Sequence, residues 1–437
     1  MQTIVKKRHI DSKSIKKKIA IAVSLWLFNI CLSQSAIDTN FSPLAKSVYL
    51  SPYGAELQPP IVRMAAFGES QQQLMLRFDM LGDETHNLRW RIEHCDAQWQ
   101  PDGLPEGEFI NGAADGPITG LQFSFTTRTD YVNYYQPLPD PYASFTASGN
   151  YLLTIYNSDD GDSPLFSRRF CVVEDLTDVE VYTSKPSGAF GDFNHDQQID
   201  VGVSPKSNSF LATQASYYKV VVQQNRRTDL MRTLPFQGYS QGTMLFQWAM
   251  ENIFPGGNHF RYFDLSNLWA AMYHVQRIDQ LGNDIFAFLQ PDEDRSRKPY
   301  TQYNSLNGGM KTNIRDRENP DIEADYVWVN FSLPMERPYM DGSVHIVGDL
   351  TNWSLGDESR MTWNAQYKTY IKRLQLKQGY YSYQLLFLPL GGQEAMTAVL
   401  EGDHTVMPNS YTVYVYYISP GSRFDRLVGL RSMNFAL

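Results

Sequence analysis

The 437-residue sequence has little cysteine. It contains three cysteines, and Cys31 lies in the apolar stretch near the N-terminus, so only Cys95 and Cys171 belong to the remainder of the chain. A small scaffold held together by disulfides is therefore excluded, because at most one bridge is possible. Alternation along residues 88–95 places Cys95 on the charged face of a strand. Whether Cys95 pairs with Cys171 stays open at this stage.

The sequence also lacks helical periodicity beyond its N-terminus. Alternating apolar and polar runs recur instead between Gly- and Pro-rich turns, which is the pattern of antiparallel sandwiches. Aromatic residues make up 14% of the chain and charged residues only 19%, a balance typical of folded, strand-rich proteins. The fold class predicted is all-β, with tandem immunoglobulin-like sandwich domains.

The N-terminus has the pattern of a secretory signal peptide over residues 1–35. Seven Lys and Arg residues occupy the first 18 positions, and an apolar segment of about 15 residues follows. This segment is short for a membrane span of about 20 residues, which disfavours the alternative of a membrane anchor. A lipoprotein is rejected because the residues before Cys31 are not small. Small residues up to Ala36 offer a cleavage point.

Positive charge is scarce in the mature chain. Removal of residues 1–35 takes away seven basic residues and one acid, which changes the formal net charge from −9 to −15. No Lys/Arg cluster with interleaved aromatics remains, so nucleic acid is not an expected partner. No basic amphipathic helix is present either, so direct membrane insertion is not expected. An acidic surface suits a soluble exported protein that meets other proteins.

The pattern of strands and turns predicts three domains after the signal peptide. We expect a first β-sandwich over residues 36–177 and a second β domain with a linker over 178–309. A C-terminal immunoglobulin-like domain is predicted over 310–437. The linker is placed at the charged, Pro-containing segment 291–309.

Two motifs suggest chemistry but fail on inspection. "GYSQG" (238–242) matches the serine nucleophile elbow, yet a strand follows it where a helix is required. "DFNHDQQID" (192–200) begins like a calcium loop, but the sixth position is Gln197 and the twelfth is Val203. The histidines show no zinc spacing. We therefore predict no catalytic residue, no metal site and no cofactor.

The C-terminal part contains a more specific pattern. "VHIVGDLTNWSL" (344–355) and the strands after it resemble glycogen-binding immunoglobulin-like (E-set) modules. Sugar binding in such modules needs exposed aromatic faces, for which Trp353 and Trp363 are the candidates. The preferred interpretation is that Trp353 fills the edge of the domain's own core, because fold analogy alone does not carry ligand function. A periplasmic carbohydrate-binding protein is the alternative function.

Nine segments spread over nearly the whole mature chain carry a family resemblance. They are "QPPIVRM" (58–64), "RWRIEHCDAQW" (89–99), "EFINGAADGPITGLQFSFTT" (108–127), "SGNYLLTIY" (148–156), "SRRFCVVE" (167–174), "FPGGNHFRYFD" (254–264), "RKPYTQYN" (297–304), "IEADYVWVNFSLP" (322–334) and "MDGSVHIVGDLTNW" (340–353). Together these segments resemble the type IX secretion system plug proteins of Bacteroidota.

The resemblance implies a non-enzymatic periplasmic protein at the inner face of the outer membrane. Such a protein docks on the periplasmic opening of the giant outer-membrane β-barrel translocon and seals the idle channel. We expect a monomer within that complex, with contact surfaces in loops such as 100–120 and 131–148. Large surfaces on a rigid string of sandwiches suit this role better than a catalytic site would.

The segment "FPGGNHFRYFD" is the family signature, and its role is predicted to be structural. Its glycines suit a turn, and alternation after them predicts a strand with Arg261 on one face and Tyr262 on the other. The signature residues are Pro255, Gly256, Gly257, Asn258, Arg261, Tyr262 and Asp264.

Overall fold

The structure, a computed structural model, describes residues 38–66, 69–207, 209–302 and 305–437. The predicted signal peptide lies outside the described residues. The all-β prediction is confirmed, since the two α-helices described are single turns, α1 (Glu106–Phe109) and α2 (Pro320–Glu323). Within the described ranges, no helix has the length and apolar character needed to cross a membrane.

The first sandwich contains twelve strands. They are β1 (Thr39–Asn40), β2 (Ala45–Pro52), β3 (Ile61–Arg63), β4 (Leu74–Leu81), β5 (Leu88–Cys95), β6 (Ile110–Asn111), β7 (Asp115–Pro117), β8 (Gly120–Phe123), β9 (Tyr131–Leu138), β10 (Ser144–Phe145), β11 (Gly149–Asn157) and β12 (Ser163–Val173). One sheet has the order β1-β12-β11-β5-β7, with β3 parallel to β12, and the other has the order β2-β4-β9-β8. Their facing apolar side chains form one core, as in other packed sheets.

The second sandwich begins with seven strands: β13 (Thr177–Ser184), β14 (Asp196–Pro205), β15 (Tyr218–Gln224), β16 (Met231–Leu234), β17 (Gly238–Ser240), β18 (Thr243–Phe246) and β19 (Ile253–Pro255). The chain then forms the third sandwich from β20 (Arg261–Asp264), β21 (Val275–Leu281), β22 (Asp284–Leu289), β23 (Met310–Thr312), β24 (Tyr326–Pro334), β25 (Gly342–Val347), β26 (Thr362–Asn364), β27 (Thr369–Lys377) and β28 (Gly379–Pro389). It returns to the second sandwich with β29 (Ser410–Tyr417) and β30 (Arg426–Asn434).

Strand pairing differs from the predicted division at residues 309 and 310. The second sandwich packs β13-β14-β18-β17 against β16-β15-β29-β30, so its second sheet needs the C-terminal strands. The third sandwich packs β20-β28-β23 against β21-β22-β24-β27-β26, so β20 and β22 belong to it although they precede residue 309. The second sandwich is therefore discontinuous in sequence, with the third inserted into it.

Strand β5 shows how the sequence pattern produces the fold and where it misleads. Burial alternates from Leu88 to His94, with the apolar side chains inside and the charged ones outside. Cys95 should then be exposed, yet it is buried. The second sandwich covers that end of β5, and Cys95 packs in an apolar cluster with Val221, Tyr414 and Tyr416. The local pattern could not show this cover.

The two cysteines do not form the disulfide that the sequence left open. Both are free and buried, and both pair in register with Asn150 on β11, one from each side. Two strand spacings separate them by about 10 Å, beyond the range in which Cys residues can be bridged. Burial raises the pKa of both thiols to about 12.

The seam between the first and third sandwiches contains a buried ion pair. Lys377 Nζ lies 2.6 Å from Asp79 Oδ2, and both side chains are almost fully buried. Tyr326 and Asn133 donate further hydrogen bonds to the same carboxylate, at 2.6 and 2.7 Å. A buried charge without its partner is costly, so this arrangement fixes how the two sandwiches meet.

The seam between the first and second sandwiches is also hydrogen-bonded. Tyr416 donates to the side chain of Asn150 at 2.9 Å, and Arg426 Nε donates to Glu174 at 2.9 Å. The backbone N–H of Leu176 donates to the carbonyl of Val428 at 2.7 Å. Together with the seam at Lys377, these contacts pack the sandwiches, which the sequence analysis describes as a rigid string, into one block.

The cysteine geometry predicts the outcome of alkylation. Folded mature protein should take up no iodoacetamide, because both thiols are buried and un-ionised at neutral pH. Unfolded protein should take up two equivalents with or without prior reductant, as measured by intact mass. A requirement for reductant would contradict the separation of the two cysteines across β11.

The Lys377 pair predicts a large stability effect. Lys377→Met leaves the carboxyl group of Asp79 buried without its cationic partner, which should lower the free energy of unfolding by about 3–5 kcal/mol in urea titrations. Lys368→Met is the matched control, because Lys368 pairs with Glu336 on the surface and should change stability by less than about 0.5 kcal/mol. Equal effects of the two variants would refute the role given to the buried pair.

Candidate functional site

The signature segment is the crossing between the second and third sandwiches. Strand β19 ends at Pro255 in one sandwich and β20 begins at Arg261 in the other, and residues 256–261 are all buried. At Gly256 a Cβ atom would lie 2.4 Å from the carbonyl oxygen of His404 and 2.5 Å from that of His195. Only Gly257 has a positive φ, +63°. The two glycines thus serve different needs, close approach and backbone conformation.

The return crossing from the third sandwich to the second runs beside the first one. The backbone N–H of Gly257 donates to Asp403 at 2.9 Å, and the N–H of His404 donates to the Gly257 carbonyl at 2.9 Å. Asn409 donates to the Gly256 carbonyl at 2.6 Å. These three hydrogen bonds hold the two crossings side by side as one double joint.

Arg261 anchors this joint on the side of the third sandwich. Its Nε donates to Glu401 at 2.9 Å and its Nη1 donates to Asp292 at 3.0 Å. Arg295 donates to the same Glu401 carboxylate through Nε at 2.7 Å. The Glu401 side chain is fully buried, and it also accepts the backbone N–H of Leu385 at 2.7 Å. Charge and hydrogen-bond needs are matched around both carboxylates.

The electrostatics of this cluster favour its charged form. Burial alone would raise the pKa of Glu401, but Arg261 and Arg295 outweigh that effect and hold its pKa below the ordinary value. Burial likewise opposes ionisation of Asp292, and Arg261 and His274 lower its pKa. The carboxylates in turn raise the pKa of Arg261. The two arginines thus balance the charges of the two buried carboxylates, and the charged cluster is stabilised where the two sandwiches are joined.

The remaining signature residues support the same segment. Asn258 donates to the Glu401 carbonyl at 2.8 Å. Tyr262 stacks on Tyr273 with ring centroids 4.0 Å apart, and the Asp264 carboxylate accepts the backbone N–H of Ser266 at 2.7 Å. The predicted strand after the glycines is present, but it joins β28 and forms no hairpin with β19.

The two rejected motifs have ordinary structural explanations. Ser240 is exposed at the start of a two-residue hairpin turn, and the turn residues Gln241 and Gly242 have φ of +49° and +87°. Asp192 accepts the backbone N–H of Asn194 at 2.8 Å and so closes its own turn. Across the described ranges, no group of three or more metal-ligating side chains is assembled.

The candidate sugar-binding tryptophans are not both accessible. Trp353 is only 5% exposed, packs edge-on against Phe260 and donates its indole N–H to Asp349 at 2.7 Å. Trp363 is half-buried and packs against Tyr370. Trp353 therefore offers no free ring face for a sugar, in line with the preferred interpretation of this residue.

The two segments predicted to form contact loops, 100–120 and 131–148, are partly buried in the structure. Residues 131–138 are strand β9 and are largely buried, so the interpretation of 131–148 as a loop is wrong for its first half. Several residues of 100–120 are also buried, including Phe109 and Ile110. An exposed apolar row that the sequence analysis did not identify, Leu121, Phe123 and Phe125, runs along the edge strand β8 and just beyond its end.

The first sandwich decides the family. Residues 45–174 match the family described as type 9 secretion system plug protein 1st domain. The chain belongs to the type IX secretion system plug family. This plug-family protein is also similar over its length to a hypothetical protein from Parabacteroides merdae ATCC 43184, whose crystal structure has a TM-score of 0.87 and 30% identity. That match covers 92% of this chain and 100% of the other. No curated protein matches.

Membership in the plug family has coarse functional consequences. It places the protein in the cell envelope and in association with the type IX secretion machinery. Together with the all-β fold, it favours a non-enzymatic protein. The signature cluster lies at the joint between the second and third sandwiches.

The close approach of two carbonyls to Gly256 predicts that alanine will destabilise the protein at this position but not at an open glycine such as Gly188. Gly256→Ala should lower the free energy of unfolding by about 3 kcal/mol, because the new methyl group meets two backbone carbonyls that cannot rotate away. Gly188→Ala is the matched control, since nothing lies within 4 Å of its added Cβ, and it should be neutral or slightly stabilising. Chemical denaturation of both variants provides the comparison, and a neutral Gly256→Ala would argue against the close crossing.

Proposed function

We propose that this protein is a non-enzymatic plug that docks on the periplasmic opening of the outer-membrane translocon barrel and seals the idle channel. The family match over residues 45–174 carries the proposal. The predicted signal peptide and the acidic mature chain support export to the periplasm. Docking to a protein rather than chemistry on a small molecule also agrees with the charge-matched cluster at Arg261.

The block-like packing of the sandwiches supports a sealing role. A plug must keep its shape while it covers an opening, so its domains should not move freely against one another. Inter-domain motion is the default for small polar interfaces. Here the buried Asp79–Lys377 pair and the double joint at Gly256 oppose it. Because Trp353 is buried, it gives no support to sugar binding by the third sandwich, and the carbohydrate-binding alternative is disfavoured.

The test of this proposal is co-purification from the native envelope. A tagged copy, expressed from its own locus, should recover the translocon barrel from detergent extracts of outer membranes, quantified by mass spectrometry. A tagged periplasmic β-sandwich protein of another family serves as the control for non-specific capture. Recovery of the barrel no better than this control would refute the proposal.

A further inference from the structure

We propose that strand β8 is the docking edge of this protein, and that it accepts an extended, apolar segment of the translocon barrel as an added β-strand. This inference rests on the proposed function, because it names the surface and the binding mode through which the plug would dock. Strand addition is a common way for a sheet edge to bind a partner, with main-chain hydrogen bonds giving affinity.

The open side of β8 follows from its register. Strand β8 pairs on one side with β9, with Leu121 opposite Tyr134 and Phe123 opposite Val132. The N–H of Ser124 donates to the Tyr131 carbonyl at 2.9 Å, so Ser124 points its main chain toward β9. In an antiparallel pair, alternate residues point their main-chain groups to opposite sides. The N–H and C=O groups of Leu121 and Phe123 therefore point away from β9.

These outward groups are available for a new strand. Strand β8 is the last strand of its sheet, and within the described ranges no hydrogen bond joins the main chain of Leu121 or Phe123 to another residue. Exposed sheet edges of this kind are usually guarded by charged side chains or proline. Strand β13 carries Asp178 and Glu180, whereas the four residues of β8 include neither a charge nor a proline.

The side chains on this edge are apolar in the pattern that an added strand would bury. Leu121, Phe123 and Phe125 are 37%, 53% and 63% exposed and occupy alternate positions, so they share one side. They lie on the same face of the sheet as Tyr134 and Val132, which belong to the core of the first sandwich. A partner segment with apolar residues at alternate positions would thus extend the existing core.

The same edge already receives main-chain pairing from within the molecule. The N–H of Phe125, next in the outward row, donates to the carbonyl of Ile322 in helix α2 of the third sandwich at 2.8 Å. The interface between the first and third sandwiches therefore ends where the open row begins. An added strand at Leu121 and Phe123 would continue that interface, and its position would depend on the sandwiches staying packed together.

The test compares two aromatic residues of similar exposure on edge strands. Phe123 on β8 is 53% exposed and Tyr182 on β13 is 56% exposed. Phe123→Lys places a charge on the proposed docking edge, while Tyr182→Lys places one on an edge outside it. With tagged proteins and outer-membrane extracts, we expect Tyr182→Lys to recover as much barrel as the wild type does. The amount recovered with Phe123→Lys should be lower by a factor of about ten or more.

A second measurement on wild-type protein does not depend on the variant folding. In the purified complex, the amides of Leu121 and Phe123 should exchange about tenfold or more slowly than in the free protein, as measured by site-resolved hydrogen exchange. The amide of Ser124, already bonded to Tyr131, is the internal reference. Unchanged exchange at Leu121 and Phe123 in a complex that contains the barrel would overturn strand addition.

The outcomes separate the two proposals. If wild type and Phe123→Lys recover the barrel equally, the docking edge is wrong and the plug function stands. If wild type recovers no barrel, the plug function fails, and this inference fails with it. If exchange slows at β8 in protein that pairs only with a second copy of this chain, the edge mediates self-association, and the proposed partner is wrong.

Discussion

The architecture depends on the double joint at Gly256. Because the third sandwich is inserted into the second, the chain must cross between them twice, and both crossings pass through one buried space. Two backbone carbonyls approach Gly256 too closely for any side chain. The Arg261, Glu401 and Asp292 cluster fills the adjacent polar space with matched charges. These contacts constrain how the second and third sandwiches are connected.

The seams extend this constraint to the first sandwich. An apolar interface would tolerate sliding, but a buried ion pair such as Asp79–Lys377 is favourable only in one arrangement, because each charge needs its partner. Tyr131 belongs to the same seam and donates to the carbonyl of Ala324 at 2.9 Å. The position of helix α2 against the first sandwich is fixed in this way. The open edge of β8 next to it is consequently presented in a defined direction.

The sequence was sufficient for local features and insufficient for those that depend on distant partners. Alternation identified the fold class and the strand after the signature, since strand periodicity is a local property. The division into domains was missed, because the pairing of β15 with β29 joins residues nearly 200 positions apart. The need for glycine at 256 likewise comes from His195 and His404. Burial of Cys95 depends on the second sandwich, which local pattern does not show.

The central claim is that the three sandwiches form one body, and small-angle X-ray scattering of the mature protein tests it most directly. A compact chain of this length should have a radius of gyration of about 22 Å. The account predicts that value at low and high salt, because the seams are buried and are screened little by ions. A radius well above it, or one that grows with salt, would show independently moving sandwiches and would contradict the account.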